Sequence, residues 1–126
     1  MKRLAPAFAA LLVTTALGLA AEPAMTVDTP DGKVYTDPDG MTLYTFDKDT
    51  NGDGKSVCNG DCAVKWPPLM ADAGAAAEGD FTLVTRDDGS TMWAYKGWPL
   101  YYWYEDVAPG DISGDGVGGV WHLAIE

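Results

Sequence analysis

The sequence predicts a small all-β single domain made of two pseudo-symmetric, hairpin-based repeats, rich in turns and with little helix. The prediction rests on an acid content dominated by aspartate, an internal repeat, and aromatic residues that alternate along short segments. Of the 19 acidic residues, 15 are Asp and 4 are Glu, and many Asp lie beside Gly. Asp-Gly pairs favour tight turns whereas Glu suits exposed helices, so this composition disfavours a helical bundle.

The internal repeat appears when the sequence is displaced by 57 residues against itself. Both copies contain the pattern G-x-x-L-Y-x-[FW]-x-x-D, which begins at Gly40 in the first copy and at Gly97 in the second. With a two-residue gap, Trp66 aligns with Trp121. Two copies are too few for a solenoid, so one pseudo-symmetric domain is predicted. The predicted boundaries are an N-terminal extension over residues 21–30, repeat one over 31–70, a linker over 71–79 and repeat two over 80–126.

Alternation of side chains and turn residues predicts a strand–turn–strand unit in each repeat. The predicted strands cover residues 34–36, 41–46, 81–86, 91–95, 98–104 and 119–125. Helix is expected only as a turn or two over residues 61–65, because Trp66-Pro67-Pro68 follows and proline stops a helix.

The first 20 residues predict an export signal, since Lys2 and Arg3 precede an apolar run that ends in small residues. Its removal leaves 6 Lys+Arg against 19 acids and changes the net charge from −11 to −13. So acidic a surface disfavours nucleic acids and anionic lipid surfaces as partners. No second apolar run reaches the roughly 20 residues of a membrane-spanning helix, so the mature chain is predicted to have no transmembrane segment.

The motifs also resemble a known family. The Tyr-x-[Phe/Trp]-x-x-Asp pattern occurs twice, accompanied by Cys58-x-x-x-Cys62, Trp66-Pro67-Pro68 and a Gly-rich segment that ends in Trp121-His122. Together these resemble the bacterial secreted-repeat family of predicted lipoproteins with a Y-x-[FWY]-x-x-D motif. The resemblance implies an exported envelope protein and leaves the activity open. Many members carry a lipobox cysteine after the signal, but none is present here, so a periplasmic or secreted form is predicted.

Cys58 and Cys62 are the only cysteines, and in an exported chain so close a pair predicts a disulfide. Gly60 allows the short loop to turn tightly, and closing it contributes about 2 kcal/mol on the chain-entropy estimate. An alternative is a periplasmic copper-binding or thiol-redox protein that uses Cys58, Cys62 and His122.

The acidic run after the first aromatic strand matches the first half of a calcium loop, D-x-[DN]-x-[DN]-G. Its oxygen ligands would be Asp47, Asp49, Asn51 and Asp53. An EF-hand is excluded, because Cys58 stands where the closing Glu belongs and no long helices flank the loop. A looser calcium loop and a solvated turn capped by its own Asp and Asn side chains both remain open.

The repeated motif contributes six candidate functional residues, which are Tyr44, Phe46, Asp49, Tyr101, Trp103 and Asp106. In one interpretation the two Asp residues accept backbone N–H groups where their strands end, and so fix the turns. In the other, the motif residues form a binding surface. So many aromatic residues cannot all point inward in a domain of this size, which predicts some exposed ring face.

Catalysis has little support, because the chain has one His, no nucleophile with a convincing base and no phosphate-binding loop. The sequence therefore predicts a non-enzymatic envelope binding or interaction module with an envelope protein or a glycan as partner. A bound divalent cation, calcium, is an open addition, and the copper or thiol-redox protein is the alternative.

Overall fold

The computed structural model describes residues 22–126, so the predicted export signal lies outside the described residues. Within this range the chain forms short strands, one five-residue helix and a 3₁₀ turn at Val117–Gly119. The elements are β1 Met25–Thr29, β2 Gly32–Thr36, β3 Tyr44–Phe46, α1 Asp61–Lys65, β4 Phe81–Thr85, β5 Thr91–Tyr95, β6 Trp98–Pro99 and β7 Trp121–Leu123. The all-β prediction is confirmed, as is the short helix.

The strands form three small antiparallel sheets, in the orders β1-β2, β3-β7 and β4-β5-β6. The β3-β7 sheet joins the two repeats, because β3 belongs to the first and β7 to the second. Tyr44 lies opposite Leu123, and Phe46 lies opposite Trp121. The last strand of the second repeat therefore completes the sheet of the first, so the repeats are interlocked rather than placed side by side.

A pseudo-twofold axis passes between the first tyrosines of the two motifs. The N–H of Tyr44 donates to the carbonyl of Tyr101 at 2.8 Å, and the N–H of Tyr101 donates back at 3.0 Å. Tyr101 also bridges to Pro68, as Tyr44 pairs with Leu123 in the other half. The segment predicted as one strand over residues 98–104 is therefore a two-residue strand followed by single bridges.

Both predicted turns are present and differ in length, but the arms of the first hairpin are linked only by the single bridge between Thr36 and Thr42, since β3 pairs with β7. In the first, the N–H of Asp37 donates to the carbonyl of Met41 at 2.9 Å, which leaves three residues in the turn. In the second, Tyr95 pairs with Trp98, and only Lys96 and Gly97 lie between them. Asp37 and Met41 of the first repeat therefore correspond to Tyr95 and Trp98 of the second.

Strand β1 lies in the segment that precedes the predicted first repeat. It pairs with β2 along its whole length, as β4 pairs with β5 in the second repeat. Met25 and Val27 are both exposed, and four of its five residues face solvent. The sequence of β1 alternates apolar and polar residues from Met25 to Asp28, but its apolar side chains are exposed rather than packed on the core.

Four aromatic rings from the two repeats form a continuous stack in the interior. The ring centroids are 4.1 Å apart for Phe46 and Trp121, 3.7 Å for Trp121 and Trp66, and 4.1 Å for Trp66 and Trp103. The pseudo-symmetry relates Phe46 to Trp103 and Trp66 to Trp121. Each terminal ring is packed on a tryptophan of the other repeat, so neither repeat holds a complete core by itself.

We predict that neither half of the chain folds alone. Residues 22–75 lose β7 and two stacked rings, and residues 76–126 lose β3 and the other two. Each half should lack near-ultraviolet circular dichroism and a cooperative unfolding transition, and mixing them in equal amounts should restore both signals. A cooperative transition in either half alone would contradict the prediction.

Candidate functional site

The repeated Tyr and Asp residues meet across the pseudo-twofold axis. The Tyr44 hydroxyl donates to Asp106 Oδ2 at 2.6 Å, and the Tyr101 hydroxyl donates to Asp49 Oδ2 at 2.7 Å. All four residues are buried. The tyrosine of each motif therefore binds the aspartate of the other motif, not the one five residues along its own chain.

The second oxygen of each carboxylate holds the loop that follows its own motif. Asp49 Oδ1 accepts the N–H of Val57 at 2.8 Å. Asp106 Oδ1 accepts the N–H of Ser113 at 3.0 Å and its hydroxyl at 2.6 Å. Each aspartate thus accepts a backbone N–H, and it also links that loop to the other repeat.

Arg86 completes the network around Asp49. Its Nη1 donates to Ser56 Oγ at 3.1 Å, and Ser56 Oγ lies 2.6 Å from the Tyr101 hydroxyl. Its Nη2 donates to the carbonyl of Cys58 at 2.8 Å. This buried guanidinium supplies positive charge close to a buried carboxylate and fixes the disulfide loop to the end of β4.

On the Asp106 side, the backbone of Gly114 contacts the tyrosine hydroxyl, as the Ser56 side chain does on the Asp49 side. Its N–H donates to the Tyr44 hydroxyl at 3.1 Å. A Cβ at this position would lie 2.9 Å from Tyr44 Cζ and 2.9 Å from Trp103 Cγ, so only glycine fits.

Sequence reasoning missed Gly114 and Arg86. The only signal for Arg86 is that it is the one arginine outside residues 1–20.

The environment sets the protonation of these groups. Burial, and then the hydrogen bond to the carboxylate, raises the pKa of Tyr44 well above its ordinary value. Burial likewise raises the pKa of Tyr101. Burial also raises the pKa of Asp49, although the bonds from Val57 and Tyr101 oppose that shift. The phenols are therefore held as proton donors to the two carboxylates.

The six motif residues lie mainly in the protein interior and do not form an exposed surface. Tyr44, Phe46, Asp49, Tyr101 and Asp106 are buried, and only Trp103 is partly exposed. The expectation that they form a binding surface therefore disagrees with their burial. The physical reason is that the carboxylates and phenols satisfy each other across the axis, which requires that both lie inside.

The aromatic surface lies just beyond the motif. Tyr104 is 51% exposed, and its ring meets Trp103 edge to face at 4.9 Å. Its N–H donates to the carbonyl of Lys65 at 2.9 Å, which places it beside the end of α1. Val64 of α1 is 71% exposed and Val107 is 85% exposed. We use the name Tyr104 face for Trp103 and Tyr104 together with Val107, which follows them in the chain, and Val64, which lies next to Lys65.

The predicted disulfide between Cys58 and Cys62 is confirmed, with their Cα atoms 5.2 Å apart. His122 lies elsewhere, with Nε2 2.8 Å from Asp47 Oδ2 on the surface. Over residues 22–126, no three His, Cys, Asp or Glu side chains converge as a metal site would require. The three residues of the alternative copper site are therefore not brought together, because the sulfurs bond to each other and His122 contacts Asp47.

The residues of the candidate calcium loop point in different directions. Asp47 contacts His122, Asp49 enters the interior, and Asp53 Oδ1 accepts the N–H of Lys55 at 2.9 Å. Asn51 Nδ2 donates to the carbonyl of Lys96 at 2.8 Å. The loop is thus hydrogen-bonded to the second hairpin turn through Asn51. Calcium binding in this loop stays a prediction.

These features define a class of protein, a single all-β domain in which two repeats exchange the partners of a shared Tyr and Asp motif. The chain belongs to the family described as "secreted repeat of unknown function", whose model matches residues 25–70 and 82–125. The first match begins with β1, and the family's description as secreted supports export of this chain. No curated protein and no solved structure matches the chain. In the described part of the chain, no helix is both long and apolar enough to cross a membrane.

We predict that Tyr101→Phe lowers the free energy of unfolding by about 1–3 kcal/mol, because it leaves a buried carboxylate without its donor. Tyr104→Phe is the matched control, since that ring is half exposed. It should change stability by less than about 0.5 kcal/mol. Urea unfolding of both variants measures the difference. Equal losses would contradict the structural role given to the Tyr101–Asp49 bond.

The raised pKa of Asp49 predicts a pH-dependent difference between wild type and Asp49→Asn. A raised folded-state pKa contributes stability that is fully present below the ordinary value of 3.8 and is lost as pH rises through the folded value. The stability of wild type relative to the variant should therefore increase as pH falls from 7 towards 4. Urea unfolding at several pH values measures it, and a difference that stays constant or falls would contradict it.

Proposed function

We propose that the protein is an exported, non-enzymatic module of the cell envelope that binds another envelope component, a protein or a glycan, through the Tyr104 face. The observation that carries this proposal is an exposed aromatic and aliphatic surface at the end of a buried ring stack. Tyr104, Val64 and Val107 are all at least half exposed there. Aromatic residues are enriched at binding interfaces because they offer large rigid contact areas.

Comparison of the repeats supports a role for this face. Displacement by 57 residues aligns Tyr104 with Asp47 and Val107 with Thr50. The same local fold is therefore built in the first repeat with polar residues at these positions. Because the fold does not require apolar side chains there, their exposure in the second repeat favours a binding role.

The face is also rigidly supported. Trp103 packs on Trp66 in the interior and meets Tyr104 with its edge, while the backbone of Tyr104 is bonded to Lys65. A preorganised aromatic surface loses little conformational entropy when a partner binds, which increases affinity for a given contact area.

The non-enzymatic part of the proposal is supported by the use of the buried polar groups. Asp49, Tyr101 and Arg86 are bonded within the protein, and each serves to join the repeats. A divalent cation in the acidic loop stays a prediction, because the side chains of that loop already have protein partners. Location in the periplasm or in the secreted fraction is likewise part of the proposal.

The test replaces residues of the second repeat by those of the first. The double variant Tyr104→Asp, Val107→Thr should keep the wild-type melting temperature and lose at least tenfold in affinity for isolated envelope fractions, measured by co-sedimentation. Asp47→Asn, Thr50→Ser, which alters the matching positions of the first repeat, is the control and should bind as wild type does. Equal binding by wild type and the double variant, or none by either, would overturn the proposal.

A further inference from the structure

One groove on the surface has a filled counterpart in the other half of the molecule. The groove has a volume of about 340 Å³ and lies between β3, the second hairpin turn and the C-terminal segment. Thr45, Lys96, Trp98 and Ile125 line it. We call it the Thr45 groove.

The counterpart is filled by a tyrosine of the chain itself. Thr45 follows the tyrosine of the first motif, and Tyr102 holds the same place in the second. The side chain of Tyr102 reaches the first hairpin turn, where its hydroxyl donates to Asp37 Oδ2 at 2.8 Å. Its ring is partly buried there. In the Thr45 groove the shorter threonine leaves the corresponding space open.

The residues around the open groove also differ from their counterparts. Trp98 stands where the first hairpin has Met41, and Tyr95 stands where it has Asp37. The carboxylate that receives Tyr102 is thus absent, and Lys96 supplies a positive charge at the rim instead. The groove is therefore more aromatic than its counterpart and has the opposite charge.

The backbone of the turn that carries this cation is fixed. Lys96 has φ of 48°, a left-handed conformation that few residues with a side chain adopt. Asn51 Nδ2 fixes the turn by donating to the carbonyl of Lys96 at 2.8 Å. Lys96 Nζ makes a cation–π contact at 5.4 Å from the centroid of the Tyr95 ring, and both residues line the groove.

We propose that the Thr45 groove binds a tyrosine side chain of a partner protein, seated as Tyr102 is seated in the other half. The phenol ring would pack against Trp98 in the space that the shorter Thr45 leaves. Lys96 Nζ would donate to the phenol oxygen, which reverses the polarity of the Tyr102–Asp37 bond. The inference rests on the proposed function in that the protein is a binding module, but the groove and the Tyr104 face are different surfaces.

The probe is N-acetyl-L-tyrosinamide, titrated into ¹⁵N-labelled full-length mature protein and followed by NMR. The Trp98 indole N–H and the Thr45 amide should shift in a saturable manner. N-acetyl-L-leucinamide should bind at least fivefold more weakly, and methyl glucoside should not shift these signals. Equal shifts with the leucine probe would make the groove a general apolar site, and shifts with the sugar alone would make it a glycan site. Either result would overturn the proposal, as would no shift with any probe.

A variant that carries at position 45 the tyrosine found at position 102 provides the decisive comparison. Thr45→Tyr should fill the groove with the chain's own phenol and weaken binding of the tyrosine probe at least tenfold. Thr26→Tyr, the same change on exposed β1, should bind as wild type does. Should Thr45→Tyr fail to fold, Lys96→Met still tests the proposal, because it should abolish the preference for the tyrosine probe over N-acetyl-L-phenylalaninamide. Retained affinity in folded Thr45→Tyr, or an unchanged preference in Lys96→Met, would contradict it.

The variant Tyr104→Asp, Val107→Thr separates this inference from the proposed function. It should lose binding to envelope fractions and keep binding of the tyrosine probe at the Thr45 groove. If wild type binds the tyrosine probe but does not bind envelope fractions, the role of the Tyr104 face is overturned and the groove proposal stands. The opposite result would overturn the groove alone.

Discussion

The reciprocal hydrogen bonds between the repeated tyrosines and aspartates are the constraint on which the rest of this structure depends. A carboxylate inside a domain is unfavourable unless strong donors satisfy it. Here each aspartate receives a phenol from the other repeat and a backbone N–H from its own, as for Asp49 with Tyr101 and Val57. The contact therefore fixes the relative position of the repeats and the course of the loop behind each motif.

The aromatic stack follows from that arrangement. Once Tyr44 and Tyr101 lie side by side on the axis, the residue two positions later in each motif is directed to the same side of the sheet. Phe46 and Trp103 thus come to lie at the ends of the stack, with Trp66 and Trp121 between them. The hydrogen bonds supply specificity and the rings supply buried apolar area, and both sets of contacts cross between the repeats.

Much of the fold follows from sequence patterns, but the exchange of partners does not. The 57-residue displacement, the hairpins, the short helix and the Cys58–Cys62 disulfide are all apparent in local patterns. A repeated motif, however, carries no information on whether Tyr44 binds Asp49 or Asp106, because both pairings satisfy the same pattern. The choice depends on three-dimensional closure of β3 against β7, and so the burial of the motif could not be predicted either.

The differences between the repeats carry more functional information than their similarities. The shared residues are occupied in joining the two halves of this chain. Where the copies diverge outside the fully buried core, as at Asp47 and Tyr104 or at Tyr102 and Thr45, each repeat keeps its local fold with a different residue. The shared fold alone then does not dictate the residue at such positions. For a pseudo-symmetric domain, comparison of one repeat with the other thus separates residues that maintain the fold from residues available for function.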